Sequence, residues 1–542
     1  EPVIRLAVRQ AMKLMGHQFV MGRDIGEALK NARGKEQCRY LHSYDMLGEA
    51  ALMADDAARY LASYHRAIEA IGAAHRDDHG APPMLRPGIS VKLSALHPRY
   101  EFAKRGQVLA ELTPRLLALA QAARRENIGL TVDAEEADRL DLSLDLFAAV
   151  YADPSLSGWD GFGLAVQSFL KRALPVIEWL EPLARKTGRR IPLRLVKGAY
   201  WDTEVKRSQE QGLAGYPVFT RKVNTDVSFL ACARRLLAAR ELFYPQFATH
   251  NAHSAAAVRD YAGDEEGYEF QRLHGMGEAL YEVVGEDLKI PCRVYAPVGS
   301  HEDLLPYLVR RLLENGANTS FVNRIFDEDV PAEQLVADPV AAVRALAKIP
   351  NPALALPADL YGVERKNSAG LNLADGPALT ALEQDLSRHS RESGYPVLAA
   401  SILESRFHGH DENKNKRPIT DPADRRRVIG EWTPFNPADA PAVIEVACKA
   451  QPRWDATPVA TRAKMLERAA EALEARRAEF MHLLIREAGK TVPDSVSEVR
   501  EAVDFLRYYA AQARERLARP QALPGPTGEY NELQLHGRGV FV

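Results

Sequence analysis

The sequence predicts an α/β protein built on a (β/α)8 barrel, and three observations predict it. From Cys38 onward, short apolar segments alternate with longer amphipathic ones. Eight such pairs fit into about 270 residues, the size of one such barrel. A polar or charged residue stands at or just past the carboxyl end of nearly every apolar segment, the end at which barrels carry their sites. A doubly wound parallel sheet would alternate in the same way, but usually with fewer strands.

Residues 3–32 read as two helices broken at Gly22-Arg23-Asp24, with Asp24 placed to cap the second. Strands are expected near 38–43, 88–93, 128–133, 162–167, 192–197, 246–250, 268–273 and 291–296. Helical patterns at 46–73, 106–125, 170–187, 202–211 and 222–239 separate them. The polar strand-end residues are Glu49, Lys92, Asp133, Gln167, Arg194, Lys197, His250, Gln271 and Tyr295. The fifth strand feeds Arg194-Leu195-Val196-Lys197-Gly198-Ala199-Tyr200-Trp201, a strand-to-helix turn. Its Arg, Lys, Tyr and Trp fill a core poorly and suit a flat, anionic ligand held above a sheet.

After Phe326 the character changes. Residues 327–365 read as short helices and connector, and 405–430 as a polar loop. The basic runs Asn413–Arg417 and Arg425–Arg427 have no interleaved aromatics, so a solvated loop is favoured over a nucleic-acid patch. Amphipathic helices follow at 440–450, 460–489 and 494–518. The expected divisions are an N-terminal helical segment (1–37), the barrel (38–326), a linker region (327–430) and a further, truncated module (431–542). Both ends read as cut: Val3–Ala7 already lies within a helical pattern, and Val540–Val542 looks like an interrupted strand.

At 542 residues, more than one core is expected. A net charge of −3 gives no global reason for a nucleic-acid or acidic-membrane partner. No apolar run is long enough to span a bilayer, and no signal peptide is evident. Four scattered cysteines form no CxxC, which argues for a reducing compartment and against a thiolate metal site. No metal site is expected: His250 and His253 have no third ligand at suitable spacing, and His408-Gly409-His410 lies in a polar loop.

Familiar nucleotide motifs fail. Gly275-Met276-Gly277 continues to Leu280, so the dinucleotide fingerprint is incomplete, and Leu484 stands where a P-loop ending at Gly489-Lys490-Thr491 needs glycine. The segment His301–Asn315 is different, because Arg310 and Arg311 are embedded among Leu305, Leu308, Val309, Leu312 and Leu313. Burying a charge is costly without an anion. Glu314 could supply one within the helix, and a substrate carboxylate could supply another.

At this point a resemblance carries further. YDMLGEAA (44–51), SVKLSALHPRY (90–100), TVDAEEADRL (131–140), RLVKGAYWD (194–202), PQFATHNAH (245–253), EFQRLHGMGE (269–278) and the long segment 295–324 resemble proline utilization A. That family is the bacterial fusion of proline dehydrogenase with an aldehyde dehydrogenase. FNPADA (435–440), REAGKT (486–491) and EVREAVDFLRYYA (498–510) resemble the start of its second module.

The resemblance implies a distorted barrel carrying FAD, with its last helix across the mouth. It implies oxidation of L-proline to Δ1-pyrroline-5-carboxylate by hydride transfer from proline C5 to flavin N5, with electrons passed to a quinone. It assigns Lys92, Arg310 and Arg311 to the proline carboxylate. Asp133, Leu195, Tyr200 and Tyr295 go to the ring pocket, and Glu49 to the arginine cluster. It assigns Gln167, Arg194, Val196, Lys197, Gly198, Ala199, Trp201, Thr220, Lys222, His250 and Asn251 to FAD, with Arg194 near N5.

It further implies a cytoplasmic protein with peripheral contact at the inner membrane and a homo-oligomeric state. NAD would serve only a second module whose catalytic cysteine follows Val542, for oxidation of the hydrolysed product to L-glutamate. The ribbon-helix-helix module of trifunctional members has no counterpart here, and this segment gives no support for DNA binding. Two rivals stand beside this reading: an NAD-linked aldehyde dehydrogenase alone, and a non-redox barrel lyase whose basic residues hold a carboxylate and a phosphate.

Overall fold

The computed structural model describes residues 18–78, 80–287, 289–299, 307–311, 336–392, 416–432 and 434–542. Eight strands pair in parallel and in chain order: β1 Leu41–Met46, β2 Gly88–Val91, β3 Gly129–Val132, β4 Phe162–Gln167, β5 Ile191–Val196, β6 Phe243–Ala248, β7 Glu269–Leu273 and β8 Cys292–Val298. The sheet closes where Leu41 lies opposite Arg293 and Met46 opposite Val298. Closure decides for the barrel over the doubly wound sheet, which would leave two edges.

α1 (Ile25–Ala32) precedes β1, and the Asp24 carboxylate accepts the Glu27 N–H at 2.9 Å, the cap the sequence predicts. The crossovers are α2 (Ala54–Ala74), α3 (Arg105–Arg125), α4 (Leu140–Tyr151), α5 (Ala173–Thr187), the pair α6 (Trp201–Glu210) and α7 (Lys222–Ala238), α8 (Ala252–Ala262) and α9 (Glu278–Asp287). Gly188 ends α5 in the left-handed region (φ 64°), which glycine enters without a Cβ penalty.

The apolar core lies between the barrel wall and these helices. Phe147 and Tyr151 of α4 stack on Phe162 of β4, with the two phenylalanine centroids 4.9 Å apart. The barrel interior is polar instead. Arg194 of β5 bonds to Ser43 of β1, two strands that are not neighbours, so its side chain must cross the inside of the closed sheet.

Two strands are offset from expectation. β1 begins at Leu41 because Cys38 and Tyr40 donate back to Gly34 and Gln37 in a turn. β6 begins at Phe243, ahead of the expected 246. The predicted helix before residue 18, His408 to His410, Asn413 to Asn415 and most of the 301–315 helix lie outside the described residues; 307–311 is helical.

The chain divides into two compact units, Glu1–Lys206 with Tyr216–Leu354, and Arg207–Gly215 with Ala355–Val542. The first includes the short α10 (Pro339–Arg344), capped by Asp338. In the second, α11 (Gly376–Glu392) lies inside the stretch predicted as linker. The predicted polar loop is a hairpin over its final residues, β9 (Arg417–Asp421) with β10 (Asp424–Trp432). Two arginines of the run are paired there: Arg426 with Asp424, and Arg427 with Asp421.

α12 (Ala440–Asp455), α13 (Val459–Ala475), α14 (Arg477–Ala488) and α15 (Val492–Arg516) follow, so the single helix expected at 460–489 breaks at Arg476. Buried Ala463 and Ala470 of α13 and Ala510 of α15 let those two helices pack closely. Leu382, Met481, Val496 and Val499 join α11, α14 and α15 in a small core. The short β11 (Gln521–Leu523) and β12 (Asn531–Leu533) form a second hairpin. No helix of the described residues is long and apolar enough to cross a membrane.

Buried histidines make the first unit acid-sensitive. Burial, aided by the Arg293 charge, lowers the His42 imidazole to about 3, and burial, aided by Arg272, lowers His274 to about 4. A base held below its unfolded value contributes stability above that value and loses it as pH falls. Stability should therefore decline from about pH 6.5 down to about pH 3, by roughly 1.4 kcal/mol per pH unit for each imidazole over its own window. Denaturant midpoints measured across that window should show a shallower pH slope for His42→Asn than for the parent chain; equal slopes would remove His42 as the cause.

Candidate active site

The site grows from β5. Both faces of this strand are buried, and Arg194 projects across the barrel among groups from β1, β2, β7 and β8 and from Asp133 just past β3. Its Nε donates to Gln271 Oε1 at 2.7 Å, and Nη1 to Asp133 Oδ1 at 2.7 Å and Ser90 Oγ at 3.0 Å. Nη2 donates to Ser43 Oγ at 3.1 Å. The Tyr295 ring covers the guanidinium at 5.1 Å. Four of its five N–H donors are thus engaged among the described residues, which fixes the plane of the group.

One layer nearer the barrel mouth, Lys92 Nζ donates to Asp45 Oδ1 at 2.8 Å, Asp133 Oδ2 at 3.3 Å and the Tyr295 hydroxyl at 3.3 Å. Tyr295 in turn donates to Asp133 Oδ2 at 2.7 Å. Burial pulls the Lys92 ammonium down, but Asp45, Tyr295 and Asp133 outweigh it and hold the group well above its usual value. Lys92 therefore stays cationic at neutral pH. Asp133 is the hub, bridging Lys92, Arg194 and Tyr295.

A second cluster meets this one. Arg310 grips Glu49 fork to fork, with Nη1–Oε1 at 2.9 Å and Nη2–Oε2 at 3.1 Å, and lies 5.4 Å from the Tyr200 ring centroid. Burial opposes the Arg310 charge, but the Glu49 hydrogen bond and the fields of Tyr200, Glu49 and Tyr295 raise its pKa further. Burial raises the Glu49 carboxyl, and Arg310 and Lys92 more than reverse this, so it remains ionised. Glu49 and Lys92 follow the carboxyl ends of β1 and β2, and the Lys92 charge acts on Glu49 as Tyr295 acts on Arg310. Arg311, 7% exposed, stacks by Tyr307 at 5.3 Å. Tyr307 and Leu308 pack with Phe19, Leu47 and Met276, and Leu273 and Tyr295 border the same patch.

The residues expected around a cofactor gather past β4, β5 and β6. Gln167 Nε2 donates to the Glu135 carbonyl at 2.8 Å, and its Oε1 accepts the Ala199 N–H at 3.3 Å. Gly198 has φ 137°, and a Cβ there would come within 2.5 Å of the Phe169 ring, so the turn admits only glycine. Lys197 and Lys222 share Asp226, at 2.5 and 3.2 Å. The Trp201 indole donates to the Phe219 carbonyl at 2.8 Å and leaves 37% of the residue exposed. Thr220 Oγ accepts the Asn351 N–H, His250 Nε2 accepts that of Leu273, and Asn251 caps α8 at Ser254.

This set fits FAD: two lysines suit a pyrophosphate, the exposed indole and glycine turn suit a flat ring, and amides serve its heteroatoms. Val196 is half-buried beside them. Leu195, assigned to the ring pocket, is fully buried in the apolar core with Leu193. No group of three metal-ligating side chains occurs among the described residues.

Sequence reasoning missed Asp45, Ser43, Ser90 and Asp226. The first two alternate on β1, and the strand expected to stop at residue 43 hid that alternation.

A closed (β/α)8 barrel with ion-paired groups massed at the carboxyl ends of its strands has the layout of the barrel enzymes. Comparison with known proteins narrows this class. Residues 28–324 match the proline dehydrogenase family, and the chain belongs to that family of enzymes. Residues 409–542 match the aldehyde dehydrogenase family.

The chain is 51% identical over 531 residues to the bifunctional protein PutA of Klebsiella aerogenes, covering 95% of this chain and 40% of that protein. It is 50% identical over 543 residues to the bifunctional protein PutA of Escherichia coli (strain K12), covering 97% and 40%. A crystal structure of a mutant Bradyrhizobium japonicum proline utilization A (PutA) superimposes with a TM-score of 0.84 at 49% identity, covering 99% of this chain and 50% of that one. The chain thus spans about 40% of the length of these two curated relatives.

Proposed function

We propose that the barrel oxidises L-proline to Δ1-pyrroline-5-carboxylate, with FAD as hydride acceptor and a quinone as the final acceptor. The observation that supports this reading is the convergence of Lys92, Asp133 and Tyr295, together with the Glu49-held Arg310, on which Tyr295 acts, and its sequence neighbour Arg311. When bound, FAD would supply the electron sink that oxidation of the proline ring needs. The protein has little acid–base work to do, since the ring nitrogen's proton leaves to solvent.

What these residues contribute is orientation. Lys92 and the arginine pair hold the carboxylate, and the rings of Tyr200 and Tyr295 bound the space around a small ring. Arg194 would offer a fixed positive charge to the negative charge that accumulates on reduction, an electrostatic arrangement that needs no rearrangement during the reaction. Gln167, Val196, Lys197, Gly198, Ala199, Trp201, Thr220, Lys222, His250 and Asn251 would hold the cofactor, and Leu195 backs the pocket from the core side.

We extend the reading to oxidation of the hydrolysed product to L-glutamate with NAD in a longer protein, a homo-oligomer, a cytoplasmic location, and peripheral contact at the inner membrane. An absorption spectrum tests the core of it. The purified chain should be yellow and should bleach anaerobically on addition of L-proline. A colourless protein that takes up no added FAD would favour the lyase alternative.

A further inference from the structure

Beneath Arg194 the polar column continues to the floor of the barrel, where nothing touches the proposed substrate pocket. Glu269, at the start of β7, is fully buried. Its Oε1 accepts from Arg293 Nε at 2.7 Å, Gln271 Nε2 at 2.7 Å and Gln246 Nε2 at 2.9 Å. Its Oε2 accepts from Arg293 Nη2 at 2.9 Å and from the Tyr244 hydroxyl at 3.4 Å. Arg293 is itself pinned by the carbonyls of Arg86 at 2.7 Å and Met84 at 2.5 Å.

Glu269 and Gln271 are two apart on one strand, so both point inward. A carboxylate can only accept and a guanidinium can only donate. Gln271, placed between the two, therefore has a single allowed orientation: NH2 toward Glu269 and oxygen toward Arg194 Nε.

We propose that Glu269 is a positioning residue for the reaction: through the Gln271 carboxamide, it sets the orientation in which Arg194 presents its charge to the bound flavin. The proposal rests on the reading of Arg194 given under the proposed function. A carboxylate at 269 makes the amide's direction obligatory. An amide there would accept either end of Gln271, so the Gln271 side chain could turn its NH2 group against Arg194 and leave the guanidinium loosely held. The cluster is therefore more than a plug: the Arg293 pair fixes Glu269, and Glu269 fixes the rest.

The test compares the flavin midpoint potential, measured by spectroelectrochemistry, in the FAD-loaded chain and in Gln271→Met, Glu269→Gln and the double variant. Looser placement of a positive charge should move the potential to more negative values in Gln271→Met and, in the same direction, in Glu269→Gln. The double variant should shift no further than Gln271→Met alone, because both changes act through one link. kcat should fall on the order of 10- to 100-fold with KM for proline within about twofold, since the carboxylate clamp is untouched.

A role in folding alone would lower the melting temperature while leaving the potential of the bound flavin unmoved, and that result overturns the proposal. Additive shifts in the double variant overturn it as well. Gln271→Met keeps the Glu269–Arg293 pair, so it decides the question by itself if Glu269→Gln does not fold. A parent chain that takes up no FAD fails at the first spectrum; it sinks the proposed function and this proposal together, whereas a normal parent with unshifted variants sinks this proposal only.

Discussion

Arg311→Met should raise KM for L-proline by roughly 100-fold while the flavin stays bound and its spectrum is unchanged. Truncating one partner of a desolvated charge pair costs about 2–5 kcal/mol, and 2.7 kcal/mol is already two decades. Arg310 is committed to Glu49 through both of its terminal nitrogens, so it cannot simply take over from its neighbour. Arg311 is nearly as buried as the core around it, beside the Tyr307 ring. A methionine fills much the same volume and keeps the apolar contacts of Leu308 and Tyr307. If the guanidinium acts only on the carboxylate, it binds ground state and transition state alike, and kcat should change little. Steady-state kinetics across a wide proline range would show this. An unaltered KM would remove Arg311 from the site.

Lys92→Met should be strongly destabilising, by about 3–5 kcal/mol, because it strands the Asp45 carboxylate. Asp45 is fully buried, and its only ion pair among the described residues is with Lys92, whereas Asp133 would keep Arg194. The effect should depend on pH. Burial already raises the Asp45 carboxyl against the pull of Lys92, and without that cation it would titrate higher still, above its unfolded value of about 3.9. A group with a raised folded pKa contributes its stability below the unfolded value and loses it as pH rises. The deficit of the variant should therefore grow from acid to neutral pH. Adding Asp45→Asn should recover much of the loss and flatten the pH dependence. Denaturation of the single and double variants at several pH values would measure both; a double variant no more stable than the single would mean that the pair is not the cause.

The fold was legible because barrel strands announce themselves twice, once by their apolar run and once by the polar residue that ends them. Arg194, Lys92, Asp133 and Tyr295 were all marked by that second signal. Their partners were not. Arg194 and Ser43 are 151 residues apart, and Lys92 and Tyr295 are 203 apart. Only closure of the sheet brings them together, and no local pattern encodes closure. Asp45 was hidden by a strand set three residues too early, since Cys38–Tyr40 is apolar enough to extend yet turns back on Gly34 and Gln37. The hairpin at Arg417–Trp432 was hidden by its charge: consecutive arginines look like solvated loop until Asp421 and Asp424 are seen to pair with them. Glu49 and Arg310 were each visible as a charged residue in an apolar setting, but the 261 residues between them concealed the fork they form.

The polar filling of the barrel has a consequence for how the chain can be divided. Cutting between β4 and β5 would part Arg194 from Ser43, Ser90 and Asp133, and Lys92 from Tyr295. The first half would keep Lys92 between two carboxylates, Asp45 and Asp133, and the second would keep Arg194 without its carboxylate. Barrels with aliphatic interiors can be imagined as two reassembling halves. This one is committed to being whole, since the polar groups that cross its interior join strands from both halves.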